Sequence, residues 1–220
     1  MSTKVIRHAI WVDFGGVLTP PVADTLMAVC RRAEVQPEQL VSAVLAVAAE
    51  FGTSDFMEPL DTPLVSAPEW SDRVERQLRE LHGCTADLSN FSALWFEDRL
   101  PNSELVSYLE TVRERGYFVG MLSNMVPSFE PYWREMVDPV LFDDVVMSFE
   151  VGTRKPQASI FELAQRRCGQ PAERCILIDD LNVNCAGAEA FGWRSVEHAD
   201  TSATIEALER MLEPGGGFDA

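Results

Sequence analysis

Lysine is nearly missing from this chain. Of 18 basic residues only Lys4 and Lys155 are lysines; the rest are arginines. A charge-balancing lysine is therefore a rare event here. Histidine is scarce too, and His8, His82 and His198 lack metal-ligand spacing, so they read as structural or exposed. The five cysteines contain no CxxC pair and leave one over, which fits reduced thiols and argues against a disulfide framework. No apolar run approaches the ~20 residues needed to cross a bilayer. Residues 1–7 lead straight into a strand and lack signal-peptide form, so a soluble, cytoplasmic protein is expected. Positive charge is in deficit overall. With 35 acidic residues the formal charge is −17, which repels nucleic-acid backbones and anionic membranes, and neither is expected as a partner. The oligomeric state stays open.

What is present suits a folded domain: 220 residues, 46% of them hydrophobic, with charge spread along the chain. Residues 4–14 read as a buried strand, with Ala9-Ile10-Trp11-Val12 running into Asp13 and then Phe14-Gly15-Gly16-Val17-Leu18-Thr19. From residue 20 to 100 the pattern is helical. Apolar stripes fall at Val22–Cys30, Leu40–Ala48 and Trp70–Leu81, with a proline-rich, loop-like stretch at Gly52–Pro68. After Pro101 helix and strand alternate. Helices are expected at Ser103–Arg115, near Glu130–Val137 and at 156–168, 183–191 and 202–212. Strands are expected at 117–122, Val145–Ser148, 175–178 and 193–196, with a flexible Gly215-Gly216-Gly217 tail. Such alternation implies right-handed crossovers and a mostly parallel, Rossmann-like α/β sheet with helices on both faces. The expected division is an α/β core at residues 1–19 and 101–220, and a helical cap at 20–100. An insertion directly after the first strand lies over the sheet's carboxyl edge as a lid.

Three strands end in polar residues: Asp13, Ser123-Asn124 and Asp179-Asp180. A fourth element, Gly152-Thr153-Arg154-Lys155-Pro156, sets the second lysine before a proline that reads as a helix start. Open α/β sheets bind ligands at the carboxyl edge, where all of these converge. Aspartate is an established nucleophile in phosphoryl transfer. Its difficulty is charge, since Asp13 would attack a dianion with two further acids nearby. Mg²⁺, bound by the carboxylates of Asp13 and Asp180 and the carbonyl of Gly15, resolves it. Lys155 is expected to touch both Asp13 and one acid of the pair. The Ser123 hydroxyl and the Asn124 backbone N–H can hold phosphate oxygens, with Gly16 beside the substrate.

In order and spacing these four motifs resemble the haloacid dehalogenase-like (HAD) superfamily of hydrolases, in the subgroup with a helical cap after the first motif. The stretch Phe142-Asp143 to Phe161 and the closing Ala190-Phe191-Gly192-Trp193 are similar to it as well. The resemblance implies a nucleophile at Asp13, a phosphate-binding hydroxyl at Ser123, a charge-balancing Lys155 and a metal ligand at Asp180. It implies for Asp179 an acid that orients metal-bound water or Lys155. One position departs. Family phosphatases carry a second aspartate, the general acid and base, two residues after the nucleophile, and here that residue is Gly15. General acid–base catalysis is typically worth ~10²–10⁴-fold.

Three functional readings follow. The first is a Mg²⁺-dependent phosphatase acting on a small phosphorylated metabolite through an aspartyl-phosphate. The second is a catalytically weak HAD fold used for ligand binding or regulation. The third is a metal-independent, dehalogenase-type hydrolase, against which the Asp179-Asp180 pair argues. A Schiff-base mechanism with a cap lysine is removed, because residues 20–100 contain no lysine. In the cap, Arg73, Arg76 and Arg79 read as a solvated helix face. Trp95 reads as a packing residue with the option of facing the cleft.

Overall fold

The computed structural model describes residues 8–213. Residues 4–7 of the expected first strand, Lys4 among them, and the Gly215-Gly216-Gly217 tail lie outside the described residues. The chain divides into two compact units. One comprises residues 1–20, 101–124 and 137–220; the other comprises residues 21–100 and 125–136.

The first unit is built on five parallel strands: β1 (Ala9–Val12), β2 (Phe118–Ser123), β3 (Asp144–Met147), β4 (Cys175–Asp179) and β5 (Arg194–Glu197). Their spatial order is β3-β2-β1-β4-β5, so β1 is central and the strand order reverses around it. All residues of β1, β2 and β4 are buried, as near-continuous apolar runs in a covered parallel sheet should be. Val12 pairs with both Met121 and Ile178. Asp13, the Ser123 end of β2 and the Asp179 end of β4 therefore leave the sheet at nearly one level, and the Asp13 N–H still donates to the Ile178 carbonyl at 2.9 Å.

Trp11 sets the packing under that edge. It lies fully buried with Phe118, Ile160, Phe161 and Trp193, its ring 5.2 Å from that of Phe118. Burying one such side chain contributes roughly 1.5–3 kcal/mol. Gly120 has no side chain because a Cβ there would fall 2.5 Å from the Trp11 ring. Helices Ser103–Glu114, Ala158–Cys168, Asn182–Ala190 and Thr201–Leu212 belong to this unit. One boundary differs from the sequence reading. Pro156 does not start its helix, which begins at Ala158. Gln157 N–H instead closes a turn onto the Arg154 carbonyl at 2.8 Å, and the Lys155–Pro156 peptide is cis.

The second unit is helical: Val22–Arg32, Pro37–Glu50, Ala67–His82, Phe91–Phe96 and Glu130–Met136. The stretch read as loop contains a one-turn helix, Glu58–Asp61. Helix Ala67–His82 starts at the Ser66 cap, whose hydroxyl accepts from Glu69 N–H, and stops at Gly83, in the left-handed region at φ 64°. Residues 125–136, which the sequence reading assigns to the α/β core, belong to this unit. The reason is aromatic. Phe129 stacks on Trp95 at 5.7 Å and meets Phe96 edge-on at 5.1 Å, while Tyr132 stacks on Phe96 at 5.0 Å. Trp95 is thus a packing residue, 4% exposed. Arg73 is tied to Glu50 and Glu69, and Arg79 pairs with Glu75, as on a solvated charged face. Among the described residues no helix is long and apolar enough to cross a membrane.

Candidate active site

Asp13 follows β1 directly in an extended conformation (φ −73°, ψ 159°), and the chain then coils through Phe14–Leu18. Within that coil the two glycines differ. Gly16 sits at φ 77°, and a Cβ on it would lie 2.1 Å from Asp180 Oδ2. Both backbone and space demand glycine there. In the sequence reading Gly16 stands beside substrate; in the structure the space next to its Cα is filled by the Asp180 carboxylate. Gly15 adopts φ −72°, ψ 125°, which any L-residue accepts. Its identity is not forced by the backbone.

Lys155, 1% exposed, reaches two of the three acids, with Nζ 2.9 Å from Asp13 Oδ1 and 2.5 Å from Asp179 Oδ2. Its backbone is held from both sides by Asn124. The Asn124 amide donates to the Lys155 carbonyl at 2.9 Å, and its Oδ1 accepts the Lys155 N–H at 2.8 Å. Helix Asn182–Ala190 passes close to this loop at Gly187, where a Cβ would fall 2.7 Å from that of Pro156. Asp179 is fully buried and its oxygens are committed. Besides Lys155 it accepts from Asn184 Nδ2 at 2.9 Å and from Leu181 N–H at 3.0 Å. Ser123, 2% exposed, stands at the end of β2, and its side chain helps to lower the Asp13 pKa against the effect of burial.

Carboxylate oxygens of Asp13, Asp179 and Asp180 lie within 4.8 Å of one another. One ammonium stands against three acids, and the electrostatics show the strain. Burial holds the Asp13 carboxyl above its ordinary range, Lys155 opposes the shift and Asp179 adds to it. Burial works against the Lys155 ammonium, but Asp13 and Asp179 more than offset it and raise its pKa. Asp180 is pushed up to about 7, by burial first and then by Asp13 and Asp179. Asp13 Oδ1 is buried, with the Lys155 ammonium as its close partner at 2.9 Å. Excess negative charge and an all-oxygen donor set fit a hard divalent cation such as Mg²⁺. Asp13 and Asp180 are the side chains placed to hold it, since Asp179 is already engaged.

The structure thus brings Asp13, Ser123, Lys155, Asp179 and Asp180 together, with Asn124 and Gly16 in direct contact with members of the group. Two contributions escape sequence reasoning. Asn184 fixes Asp179; its place in the first turn of the helix after the acid pair was a usable signal. The Asn124 side chain clamps Lys155 across 31 positions of sequence, and no local pattern announces that contact. The histidines stand apart: His198 meets Thr204 and His82 meets Ser42.

Residues 8–192 match the model of the haloacid dehalogenase-like hydrolases. The chain is 32% identical over 120 residues to a glyceraldehyde 3-phosphate phosphatase of Methanothermobacter thermautotrophicus, covering 53% of this chain and 51% of that one. It spans from a quarter to just over half the length of the curated relatives it matches. Among solved structures it resembles an HAD family enzyme of Bacteroides thetaiotaomicron (19% identity, TM-score 0.66, 87% of this chain and 93% of that one). That enzyme has also been solved with magnesium and inorganic phosphate. An L-2-haloacid dehalogenase of Xanthobacter autotrophicus, with chloropropionic acid covalently bound, is similar as well (17% identity, TM-score 0.62, 94% and 82%). At these identities the structural likeness speaks for the fold alone. With the family model covering most of its length, the chain belongs to the haloacid dehalogenase-like hydrolases.

Proposed function

We propose that the protein is a Mg²⁺-dependent phosphatase that acts on a small phosphorylated metabolite through an aspartyl-phosphate at Asp13. The observation that carries this reading is the cluster of three carboxylates around a single buried lysine. Attack on a carbon–halogen bond needs one nucleophilic carboxylate. Asp180 has no task in that chemistry, but has one if a cation must be held against a phosphate.

Asp13 attacks phosphorus and the ester oxygen leaves. Lys155 offsets charge on the phosphate, and the Ser123 hydroxyl and Asn124 N–H hold its non-bridging oxygens. Bound Mg²⁺, held by Asp13, Asp180 and the Gly15 carbonyl, would supply neutralisation of the carboxylates and of the phosphate dianion. Asp179 orients Lys155. Water then cleaves the acyl phosphate and restores Asp13. With glycine at position 15 no side chain there protonates the leaving group or deprotonates the water. Substrates whose leaving group departs as a stabilised anion, such as acyl phosphates, enol phosphates or phosphoanhydrides, therefore suit this site best.

Gly15 also favours a second reading, a weak catalyst retained for binding phosphate ligands. A screen of phosphorylated metabolites with and without Mg²⁺, comparing wild type with Asp13→Asn, separates the readings. The proposal expects Mg²⁺-dependent phosphate release that the substitution abolishes. Ligand binding without turnover supports the second reading. Halide release from 2-chloropropionate without metal would overturn both.

A further inference from the structure

Two thiols meet in the α/β core, in a part of the fold that the phosphatase reading does not use. Cys168 is the last residue of helix Ala158–Cys168 and Cys175 the first of β4, and their sulfurs lie 3.8 Å apart. Asp179 stands at the other end of β4, roughly 13 Å away at the usual rise of a strand. The connection between the cysteines turns at Gly169 (φ 65°). Each sulfur also reaches a nearby carbonyl, Cys168 to Gln165 at 3.3 Å and Cys175 to Pro171 at 3.6 Å.

We infer that Cys168 and Cys175 are a reversible oxidation site, converted by a hydroperoxide into an intramolecular disulfide. The two sulfurs are already in contact. A disulfide is ~2.05 Å long, so each sulfur must move by about 1 Å to form one. The two thiols are not equivalent. Cys168 keeps 7% exposure and sits at a helix end beside a glycine, where local opening is easiest, whereas Cys175 is fully buried. Contact with the Cys175 thiol also lowers the Cys168 pKa and so favours its thiolate.

The order of events follows. The Cys168 thiolate attacks one oxygen of the hydroperoxide, the O–O bond breaks, and the departing oxygen takes a proton to leave as water or alcohol. Cys168 is then a sulfenic acid. The Cys175 sulfur, giving up its proton, attacks the Cys168 sulfur; the S–O bond breaks, water leaves and the S–S bond forms. The thiols lose two electrons in all and the hydroperoxide gains them. The bond closes the loop between the helix that follows Lys155 and the strand that ends at Asp179.

The test uses the whole chain without reductant, treated with a few equivalents of hydrogen peroxide. The protein is then denatured, alkylated, digested and mapped by mass spectrometry. The expected product is a linked Cys168–Cys175 peptide, about 2 Da lighter than the dithiol form and reversed by dithiothreitol. Of five free thiols, three should remain open to alkylation. Cys175→Ser should stop at the sulfenic acid on Cys168, trapped by dimedone; the wild-type map decides even if that variant folds poorly. Cys168 and Cys175 both staying alkylatable while the more accessible Cys84 is oxidised would overturn the inference. So would a disulfide joining other cysteines, or Cys168 passing to sulfinic acid with Cys175 still free. None of these outcomes depends on phosphatase activity.

Discussion

Replacing Lys155 by methionine removes the one cation from a cluster of three acids. The side chain is 1% exposed and touches Asp13 and Asp179, so solvent screening offers no relief. Breaking a buried ion pair by deleting one partner typically costs 3–5 kcal/mol, because the other charge stays buried without compensation. That range is the expected loss at pH 8 without metal. The loss should depend on pH in a definite direction. Burial already raises the Asp13 carboxyl above its ordinary range, and Lys155 is the group that pulls it down. Asp180, already at about 7, also loses a neighbour that lowers it. Carboxyls whose folded pKa lies above the unfolded value of ~3.9 bind more protons in the native state, so their contribution to stability falls as pH rises through the window between the two values. Lys155→Met widens that window for both groups. The difference from wild type should therefore shrink by at least ~1 kcal/mol on moving from pH 8 to pH 5, where protons replace the missing cation. Urea unfolding of both proteins at the two pH values, in EDTA, measures it. A difference below ~1 kcal/mol at pH 8, or one that is the same at both, would refute the account of a charge-balanced core.

Gly16→Ala should cost ~1–2 kcal/mol from backbone strain alone and more from displacing the Asp180 carboxylate, while Gly15→Ala, at an ordinary φ, should leave urea stability nearly unchanged; equal costs would show that Asp180 yields freely. Calorimetric Mg²⁺ binding should vanish in Asp180→Ala, and in wild type it should weaken as pH falls through about 7, where a proton competes for Asp180; unchanged affinity in the variant contradicts the assignment. Turnover should fall steeply as leaving-group pKa rises, with p-nitrophenyl phosphate faster than alkyl phosphates. Gly15→Asp should raise alkyl-phosphate rates toward the ~10²-fold that acid catalysis can supply. A flat dependence with efficient alkyl-phosphate hydrolysis would show that another residue donates the proton.

The parts of this architecture legible in the sequence are those that local pattern controls. Four apolar residues ahead of Asp13 announced a buried central strand, and strand-ending polar residues located the carboxyl edge. Lys155 stands out by its rarity and by its place in the Gly152–Pro156 element, and its contacts with Asp13 and Asp179 follow from charge balance. What stayed hidden depends on distant partners. Residues 125–136 join the helical unit through Phe129 and Tyr132, whose aromatic partners lie more than 30 positions away and leave no periodic trace. The Asn124 clamp on the Lys155 backbone is hidden for the same reason. The turn at Arg154–Gln157 displaced the expected helix start because a proline after a lysine reads alike in a helix and in a turn.

The claim that matters most is that Asp13 takes the phosphoryl group. Since Gly15 removes the base that would speed hydrolysis of the intermediate, an aspartyl-phosphate should build up during turnover. Rapid acid quench of the enzyme with Mg²⁺ and an acyl phosphate, followed by peptide mass mapping, reads it directly. The account predicts a hydroxylamine-labile gain of about 80 Da, one added phosphoryl group, confined to the peptide that carries Asp13. A phosphoryl group on any other residue, or steady phosphate release that survives Asp13→Asn, would contradict it.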